Sequence, residues 1–412
     1  MTPDASPQRT AELAARESFG RLVSYLAWQW RDIAAAEDAL SDALVKALEV
    51  WPVRGVPESP DAWLLTVAKR QLLQLARHDR LRRDPAVTLL LAQDEVQPDT
   101  PELPDARLKL LFVCAHPAID ERVRVPLMLQ TVLGLQVRDI APALLLSPGT
   151  LAQRLVRAKQ KIRDTGIRFE EPEVRELAQR LGFVLESIYG AFGVSVDAVD
   201  GAESRIIDLQ EEALYLCEVV CHLLPESAEA RGLLALMTFR MARQAAQTDA
   251  AGHFVPLAQH DTRLWDREAI VRADQHLWLA AQRRQPGPFQ LEAAIQSAHC
   301  HRLFTGRTPW HAIRQIYEHI NTHFPTLGSR VAGAVAVAES GDVASGLVEL
   351  DAMNEELVRG FQPWWVARAH LLSLLGRERT AEARQAYAHA IGLTQQRPAR
   401  AHLERRRAAL DA

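Results

Sequence analysis

The chain has 412 residues and is 48% hydrophobic, which is enough for two to four domains with a sizeable core. Alanine and leucine are abundant and β-branched runs are sparse, so the composition predicts an all-α protein. Four cysteines exclude a disulfide framework, and no apolar run reaches the roughly 18 residues of a membrane span. The first residues, MTPDASPQRT, lack the apolar stretch of a secretory leader. We therefore expect a reduced, cytoplasmic setting and no membrane partner.

The net charge of −4 is unevenly distributed along the chain. Residues 1–168 carry 23 Lys and Arg against 21 Asp and Glu, and the remainder carries 25 against 31. The excess of positive charge lies in residues 107–168, which hold 11 basic and four acidic side chains. A basic segment in a nearly neutral chain favours a nucleic-acid contact over a membrane contact.

Two amphipathic helices are predicted within residues 11–50. The second of them, AEDALSDALVKALEVW, has acidic residues in its first turns: Glu37, Asp38 and Asp42. The helix dipole favours acids at this end, so dipole complementation alone accounts for them.

A proline-rich loop over residues 52–60, PVRGVPESP, is expected next, because proline cannot continue a helix. Asp61 is then the predicted cap of a helix over Ala62–Arg77, which begins apolar and ends basic. The basic side chains of this end are Lys69, Arg70, Arg77, Arg80, Arg82 and Arg83. The helix dipole also favours cations here, which explains part of the pattern.

Acidic residues and prolines make residues 84–106 a predicted linker. Helices are expected to resume at Ala106–Cys114 and around Arg122–Leu133. Pro126 and Pro142 are expected to interrupt helices, because an interior proline costs about 3 kcal/mol or more unless it falls in a first turn, as Pro142 nearly does.

A helix-turn-helix is predicted in the stretch Gly134 to Arg168, with its second helix at Pro148–Lys161. Ser147 is a suitable N-cap, and Pro148 suits the first helical position. The second helix has one apolar face, on which Ile140 and Leu144 of the preceding helix can pack: Leu151, Leu155, Ala158 and Ile162. Its basic side chains can contact phosphates while its N-terminal end reaches base edges, although an ordinary solvated basic face remains the alternative.

After about residue 170 the sequence predicts weakly repetitive helices. Residues 331–350 and 369–387 each show an apolar helix, a glycine and an Ala-rich helix. Gly341 and Gly376 repeat at close to the roughly 34-residue tetratricopeptide period. Helix pairs of this kind stack into a solenoid with a concave binding surface.

The order of these segments resembles that of an extracytoplasmic-function sigma factor, and the resemblance covers nearly the whole chain. Residues 1–83 resemble its region 2, residues 84–106 its linker and residues 107–168 its region 4. Residues 169–412 resemble the tetratricopeptide-like extension that one subgroup carries. The segments that carry the resemblance are WPVRGVPESPDAWLLTVAKR, CAHPAIDERV, AQRLVRAKQKIR, LWDREAI and GPFQLEAAI.

The resemblance implies a promoter-specific initiation factor without catalytic activity or cofactor. Its partners would be promoter DNA and the β′ clamp and β flap of core RNA polymerase, with a regulatory protein or ligand on the C-terminal domain. Polymerase binding falls on Glu37, Asp38 and Asp42. Contacts to the −10 element fall on Trp63, Lys69, Arg70, Arg77 and Arg80. Contacts to the −35 element fall on Thr150, Gln153 and Arg154 for bases and on Arg157, Lys159 and Lys161 for the backbone.

The chain departs from the family pattern at several positions, and two of them bear on promoter choice. Arg70 and Gln74 stand where Asn and Asp are usual, which leaves the −10 sequence preference open. A stand-alone helix-turn-helix regulator with a sensory solenoid is the first alternative, and a scaffold with a vestigial DNA-binding domain is the second.

The sequence disfavours both a zinc site and a catalytic site. Six residues have metal-binding side chains in two groups: Cys217, Cys221, His222, His299, Cys300 and His301. Their spacing is looser than that of most zinc sites, so buried structural thiols are the preferred interpretation. LWDREAI, with Trp265, Asp266 and Arg267, is interpreted as structural pairing between repeats. No catalytic motif is present, so the sequence predicts that the protein is not an enzyme.

Overall fold

The computed structural model describes residues 18–80, 106–132, 134–143, 146–167, 169, 174–196, 203–394 and 397–411. Every regular element in these residues is a helix, apart from an isolated bridge between Thr248 and Phe254. The prediction of an all-α protein is therefore confirmed. No helix in the described ranges is both long and apolar enough to cross a membrane. Of the predicted linker 84–106, only Ala106 falls in the described ranges.

The chain divides into two compact units, Met1–Val219 and Val220–Ala412. Composition alone predicted a boundary after residue 168 instead. The difference arises because the helix Val174–Val196 (α8) packs against two earlier helices, Arg107–Cys114 (α4) and Glu121–Thr131 (α5). In one of these contacts, Arg180 Nη1 donates to the carbonyl oxygen of Phe112 at 3.0 Å. Local composition changes near residue 170, but the packing unit continues beyond it.

Three helices begin the first unit: Phe19–Trp30 (α1), Ile33–Arg54 (α2) and Pro60–Arg80 (α3). Asp32 caps α2 by accepting from Ala35 N at 3.0 Å, which is the ordinary role of an N-cap carboxylate. The three helices bury one another's apolar faces, with Leu26, Leu40, Ala43, Leu64 and Leu72 at most 2% exposed.

The proline-rich loop is shorter than the sequence predicted. Helix α2 continues through Pro52 to Arg54, and α3 already begins at Pro60. Pro52 is tolerated because it lies in the last turn, where its missing N–H leaves only the carbonyl of half-exposed Leu48 without a helical donor. Asp61 is not a cap; its Oδ2 accepts from Ser18 Oγ at 2.8 Å and Arg21 Nη2 at 2.6 Å.

Helices α4 and α5 are followed by Val137–Ala143 (α6) and Pro148–Asp164 (α7). The expected interruption at Pro126 is wrong, since α5 runs through it and buries the proline ring. The hydrogen bond that Pro126 cannot donate would end on the carbonyl of Arg122, which is an exposed residue. Pro142 lies one residue before the end of α6, so it also does not break that helix. Helix α9, Glu203–Leu223, completes the unit and crosses into the next.

The second unit contains further helices, which in chain order are Ala228–Met241 (α10), Arg267–Ala281 (α11), Pro288–Cys300 (α12), Arg302–Thr305 (α13), Trp310–His323 (α14), Leu327–Glu339 (α15), Val343–Asp351 (α16), Glu355–Val358 (α17), Gln362–Leu374 (α18), Thr380–Leu393 (α19) and Arg397–Ala408 (α20). Helices α10 and α12 approach so closely that a Cβ on Gly232 would lie 2.7 Å from the backbone of Gln290. Beside this contact Glu229 accepts from Phe289 N at 3.0 Å and Gln290 N at 3.1 Å, and so caps α12 from a neighbouring helix.

The predicted helix–glycine–helix pairs are both present. Gly341 joins α15 to α16 with φ 115°, and Gly376 joins α18 to α19 with φ 96°. Both values lie in the region that favours glycine over residues with a side chain, which explains why glycine marks each turn. In each pair the two helices pack against each other.

Candidate nucleic-acid interface

Helix α7 begins as its sequence predicts. Ser147 Oγ accepts from Thr150 N at 3.2 Å, and Pro148 occupies the first helical position, where a missing N–H costs nothing. The apolar face is also confirmed, because Leu151, Leu155, Ala158 and Ile162 are buried. Ile140 of α6 is fully buried, and α6 packs against α7. Leu144 lies outside the described residues.

Five of the six residues predicted to contact −35 DNA lie on the solvent side of α7. Thr150, Gln153, Arg157 and Lys161 are exposed, and Arg154 is half-buried. Thr150 and Gln153 lie in the first two turns, beside the N-terminal amides, while Arg157 and Lys161 follow further along. This order places hydrogen-bonding side chains at the end that can enter a groove and cations behind them.

Lys159 is placed differently from its five neighbours. Its side chain is only 9% exposed, and its Nζ lies 2.5 Å from Oε2 of Glu37 on α2. One turn later, Arg163 Nη1 lies 3.5 Å from Oδ2 of Asp32. Burial raises the pKa of Glu37 although Lys159 opposes the shift. In this arrangement Lys159 is not available to DNA phosphate, and Glu37 is not available to a polymerase.

The two remaining acids of the predicted polymerase surface do face solvent. Asp38 and Asp42 are exposed on α2, one turn apart, and Asp42 Oδ2 accepts weakly from Gln71 Nε2 at 3.4 Å. Val45 and Leu48 continue this face and are 57% and 47% exposed. The outward side of α2 is therefore a mixed acidic and apolar surface, which suits a protein contact better than a nucleic-acid contact.

The predicted −10 residues are only partly brought together. Trp63 is half-buried and packs edge-on against Trp51 with ring centroids 5.5 Å apart. Arg70, two turns later on α3, is exposed. Lys69 lies over the ring of Tyr25 at 5.1 Å. The side chains of Arg77 and Arg80 lie outside the described residues.

Sequence reasoning missed an aromatic and basic cluster around the end of α1. Tyr25 and Trp28 have ring centroids 6.1 Å apart, with Lys69 over the first ring and Lys109 over the second at 5.0 Å. Aromatic rings interleaved with cations form the usual platform for unpaired bases. Tyr25 and Trp28 are three residues apart, and this spacing predicts that they share one face of a helix. Lys109 is distant from both in the sequence, so spacing could not predict its contact with Trp28.

The cysteine thiols in the two Cys and His groups are buried, as the preferred interpretation of those groups predicted. Cys217, Cys221 and Cys300 are at most 7% exposed, and all four cysteines of the chain are thiols rather than disulfides. In the described part of the chain no cluster of three His, Cys, Asp or Glu residues could hold a metal ion. Trp265, Asp266 and Arg267 serve packing and capping, since Asp266 caps α11 through Ala269 N at 2.9 Å.

Comparisons with known proteins place the chain among relatives whose function is not described. A family of unknown function (DUF6596) matches residues 180–281. No solved structure matches the chain. An uncharacterized protein of Rhizobium meliloti (strain 1021) is 33% identical over 387 residues, which cover 92% of this chain and 90% of that protein. Identity at this level over nearly both full lengths shows common descent, and the chain belongs to the family of this Rhizobium meliloti protein.

Proposed function

We propose that the protein is a promoter-specific transcription initiation factor of the extracytoplasmic-function sigma type. The observation that carries the proposal is the capped helix α7, which exposes Thr150, Gln153, Arg157 and Lys161 within the same unit as the acidic and apolar face of α2. In the proposal, residues 1–83 act as region 2, residues 107–168 as region 4 and residues 169–412 as a tetratricopeptide-like regulatory extension, whose first helix, α8, packs on α4 and α5 and so belongs to the folded first unit.

The proposed mechanism is differential binding. Asp38 and Asp42 contact the β′ clamp of core polymerase, and the polymerase supplies the chemistry. The start of α7 then reads −35 base edges while Arg157 and Lys161 contact phosphates. Trp63, Lys69 and Arg70, together with the Tyr25 and Trp28 rings, hold the opened −10 strand by stacking and charge.

To contact both promoter elements at once, the region 2 and region 4 parts of the first unit must separate. The two promoter elements lie about 25 base pairs apart, which is roughly 85 Å at 3.4 Å per pair. Helices α2 and α7 are instead joined by the Lys159–Glu37 pair. Residues 84–106, at about 3.3–3.6 Å per residue, reach roughly 80 Å when extended. An extended linker therefore spans most of this distance, and the widths of the two halves supply the rest once α4 and α7 have separated from α1 and α2.

Run-off transcription with core polymerase tests the proposal directly. The wild-type chain should direct specific transcripts from a promoter selected in vitro. Asp38→Arg with Asp42→Arg should abolish co-purification with core polymerase and leave the circular dichroism spectrum unchanged. The matched control is Glu355→Arg with Glu356→Arg, two exposed acids on α17. Equal polymerase binding by both double variants would refute the assignment of α2.

A stand-alone regulator is the second candidate, favoured by one observation. The Lys159–Glu37 and Arg163–Asp32 pairs hold α7 against α2, which suits a rigid DNA-binding unit that never separates. Such a regulator would bind its operator without polymerase, and its affinity would not change when core enzyme is added.

A further inference from the structure

A cluster of basic and aromatic side chains in the second unit surrounds Trp265. The guanidinium carbon of Arg302 lies 5.1 Å from the centroid of the Trp265 ring, and that of Arg243 lies 5.9 Å from it. The ring of His260 lies 6.2 Å from the same centroid and is nearly perpendicular to it. Three cationic or ionisable groups are therefore gathered around one indole, at the junction of α10, α13 and the loop between α10 and α11.

The loop that supplies His260 and Trp265 is long and ordered by specific bonds. Between Met241 and Arg267 it contains short helical turns and the isolated bridge between Thr248 and Phe254. Arg302 stabilises the loop through two hydrogen bonds. Its Nη1 donates to the carbonyl of Ala258 at 2.7 Å, and its Nη2 donates to the carbonyl of His260 at 2.9 Å. Asp266 N donates to the carbonyl of Ala242 at 2.8 Å. Long loops with fixed conformations in compact domains more often serve binding than connection.

Arg243 is buried without a carboxylate partner. It is 5% exposed, its Nε donates to the carbonyl of Phe239 at 3.1 Å, and its Nη2 donates to Gln296 Oε1. Its Nη1 is buried and has no hydrogen-bond partner among the residues that the structure describes. Burial lowers the pKa of Arg243, and Arg240 and Arg302 act in the same direction. Among the described residues no acid pairs with Arg243 or Arg302, although buried charges are ordinarily paired.

Two more polar atoms of the cluster are buried without partners. Trp265 is 5% exposed and His260 is 9% exposed. Within the described ranges, Trp265 Nε1 donates to no acceptor and His260 Nδ1 has no partner. His260 Nε2 faces the carbonyl of Val255 at 3.1 Å, so Nε2 carries the hydrogen when the ring is neutral. The nearest loop acids are already engaged, since Asp261 is bonded to Arg263 and Asp266 caps α11.

We propose that this cluster is a binding site for a small oxyanion, a carboxylate or a phosphate group, held by Arg243 Nη1, the Trp265 indole N–H and the charge of Arg302. An oxyanion supplies what the cluster lacks, which is negative charge together with acceptor oxygens for two buried donors. Arg302 is partly exposed, so an anion would enter from its side, and the loop must move to uncover the two buried donors. The proposal is independent of promoter recognition and gives the second unit a ligand chemistry of its own.

Anion binding is measured on the full-length chain in Tris chloride. Sodium phosphate and sodium acetate are titrated at constant ionic strength against sodium chloride, with thermal unfolding and calorimetry as readouts. A ligand that binds only the folded state raises the melting temperature. A response to phosphate alone identifies a phosphate site, and a response to acetate alone identifies a carboxylate site. No response to either beyond that of chloride overturns the proposal.

Substitutions locate the site. Trp265→Phe keeps the ring and removes the donor, and it should weaken binding about ten-fold, as expected for a lost hydrogen bond to a charged group. Arg302→Gln should weaken binding to a similar extent. The matched control is Arg263→Gln, because Arg263 lies in the same loop, is 88% exposed and pairs with Asp261. Unchanged affinity in Trp265→Phe and Arg302→Gln would place the anion elsewhere and overturn the assignment.

A spectroscopic readout distinguishes direct contact from loss of fold. In a chain with nitrogen-15 in its nine tryptophans, the indole resonance absent from Trp265→Phe belongs to Trp265. Addition of the bound anion should shift this resonance more than the other indole signals. Equal small shifts of all the indole signals would indicate an ionic-strength effect and would contradict the site.

Discussion

Lys159 and Glu37, which the sequence assigned to two different macromolecular partners, bind each other: Lys159 Nζ lies 2.5 Å from Glu37 Oε2, across 122 residues of sequence. Both side chains are largely removed from water, with 9% and 20% of their surface exposed. A buried ion pair contributes little net stability, but removal of one partner leaves an unpaired buried charge. The pair therefore specifies how α7 packs on α2 more than it strengthens the unit.

Lys159→Met should lower the free energy of unfolding of the first unit by about 3 kcal/mol, since Glu37 would remain buried without its cation. Adding Glu37→Leu should recover most of this loss, because no buried charge is left. Urea denaturation of Lys159→Met, of Glu37→Leu alone and of the double variant measures both effects as a double-mutant cycle. Lys161→Met, on the exposed side of the same helix, is the control and should change stability by less than about 0.5 kcal/mol. Additive effects of the two core substitutions would show that the pair is not coupled.

Acid sensitivity of the second unit should depend on His299. Burial, with Arg243 and Arg302 nearby, lowers the pKa of His299 from 6.5 to about 4. Between these values the unfolded chain binds a proton that the folded chain does not, so stability is lost as pH falls from about 6.5 towards about 4. The loss has an upper bound of about 3.5 kcal/mol, because each pKa unit corresponds to about 1.4 kcal/mol.

His299→Phe should flatten this part of the pH profile while it keeps a ring against Trp310, whose centroid lies 5.3 Å away. Thermal unfolding between pH 4 and pH 7 measures the slope. His301→Gln is the matched control, because His301 lies two residues later and is exposed. The same slope in His299→Phe and in the wild type would assign the acid sensitivity to other groups.

Different residues of α7 should contact the DNA bases and the DNA phosphates. Arg154 lies in the second turn, so Arg154→Ala should cost about 1–3 kcal/mol on the preferred −35 sequence and relax the preference at one position. Lys161 lies two turns later, so Lys161→Ala should weaken all sequences about equally and reduce the salt dependence. Fluorescence anisotropy with a set of single-base operator variants at two salt concentrations measures both. A uniform loss from Arg154→Ala would remove it from base reading.

Periodicity predicted the parts of this fold that depend on one helix alone. The apolar face from Leu151 to Ile162 and the cap at Ser147 needed only local spacing and local hydrogen bonds. Burial of Lys159 was not predictable in the same way, because it depends on which distant helix packs opposite. Its position one turn after Leu155 put it at the edge of the apolar face, which was the available signal.

Proline positions and the basic cluster show a second limit of the sequence. The sequence placed Pro52 in a loop and expected Pro126 to interrupt a helix, yet both lie within helices, and the carbonyl that each leaves without its helical donor belongs to an exposed residue. The cluster at Trp265 draws its groups from residues 243–302 through a loop with no period, so no spacing rule gathers them. Sequence periodicity predicts helices and their apolar faces. The tolerated prolines and the cluster at Trp265 depend instead on tertiary contacts, which periodicity does not predict.

The last prediction concerns where the first unit ends. A fragment cut after residue 168 follows the composition boundary, but it removes α8, which packs on α4 and α5. The apolar side chains that α8 buries are Val184, Leu185, Ile188, Ala191 and Phe192. Burial of one large apolar side chain contributes about 1.5–3 kcal/mol, so their loss approaches the whole stability of a typical domain, about 5–15 kcal/mol.

A fragment of residues 1–168 should therefore unfold without a cooperative transition or aggregate, whereas residues 1–223 should melt cooperatively. Circular dichroism melting and size-exclusion chromatography compare the two fragments, with dye binding to exposed apolar surface as a third readout. Phe192→Ala within the longer fragment is an intermediate case and should cost about 3–5 kcal/mol, because Phe192 is 1% exposed. Equal cooperativity of the two fragments would mean that α8 is not required by the first unit, and the composition boundary near residue 168 would then be the correct one.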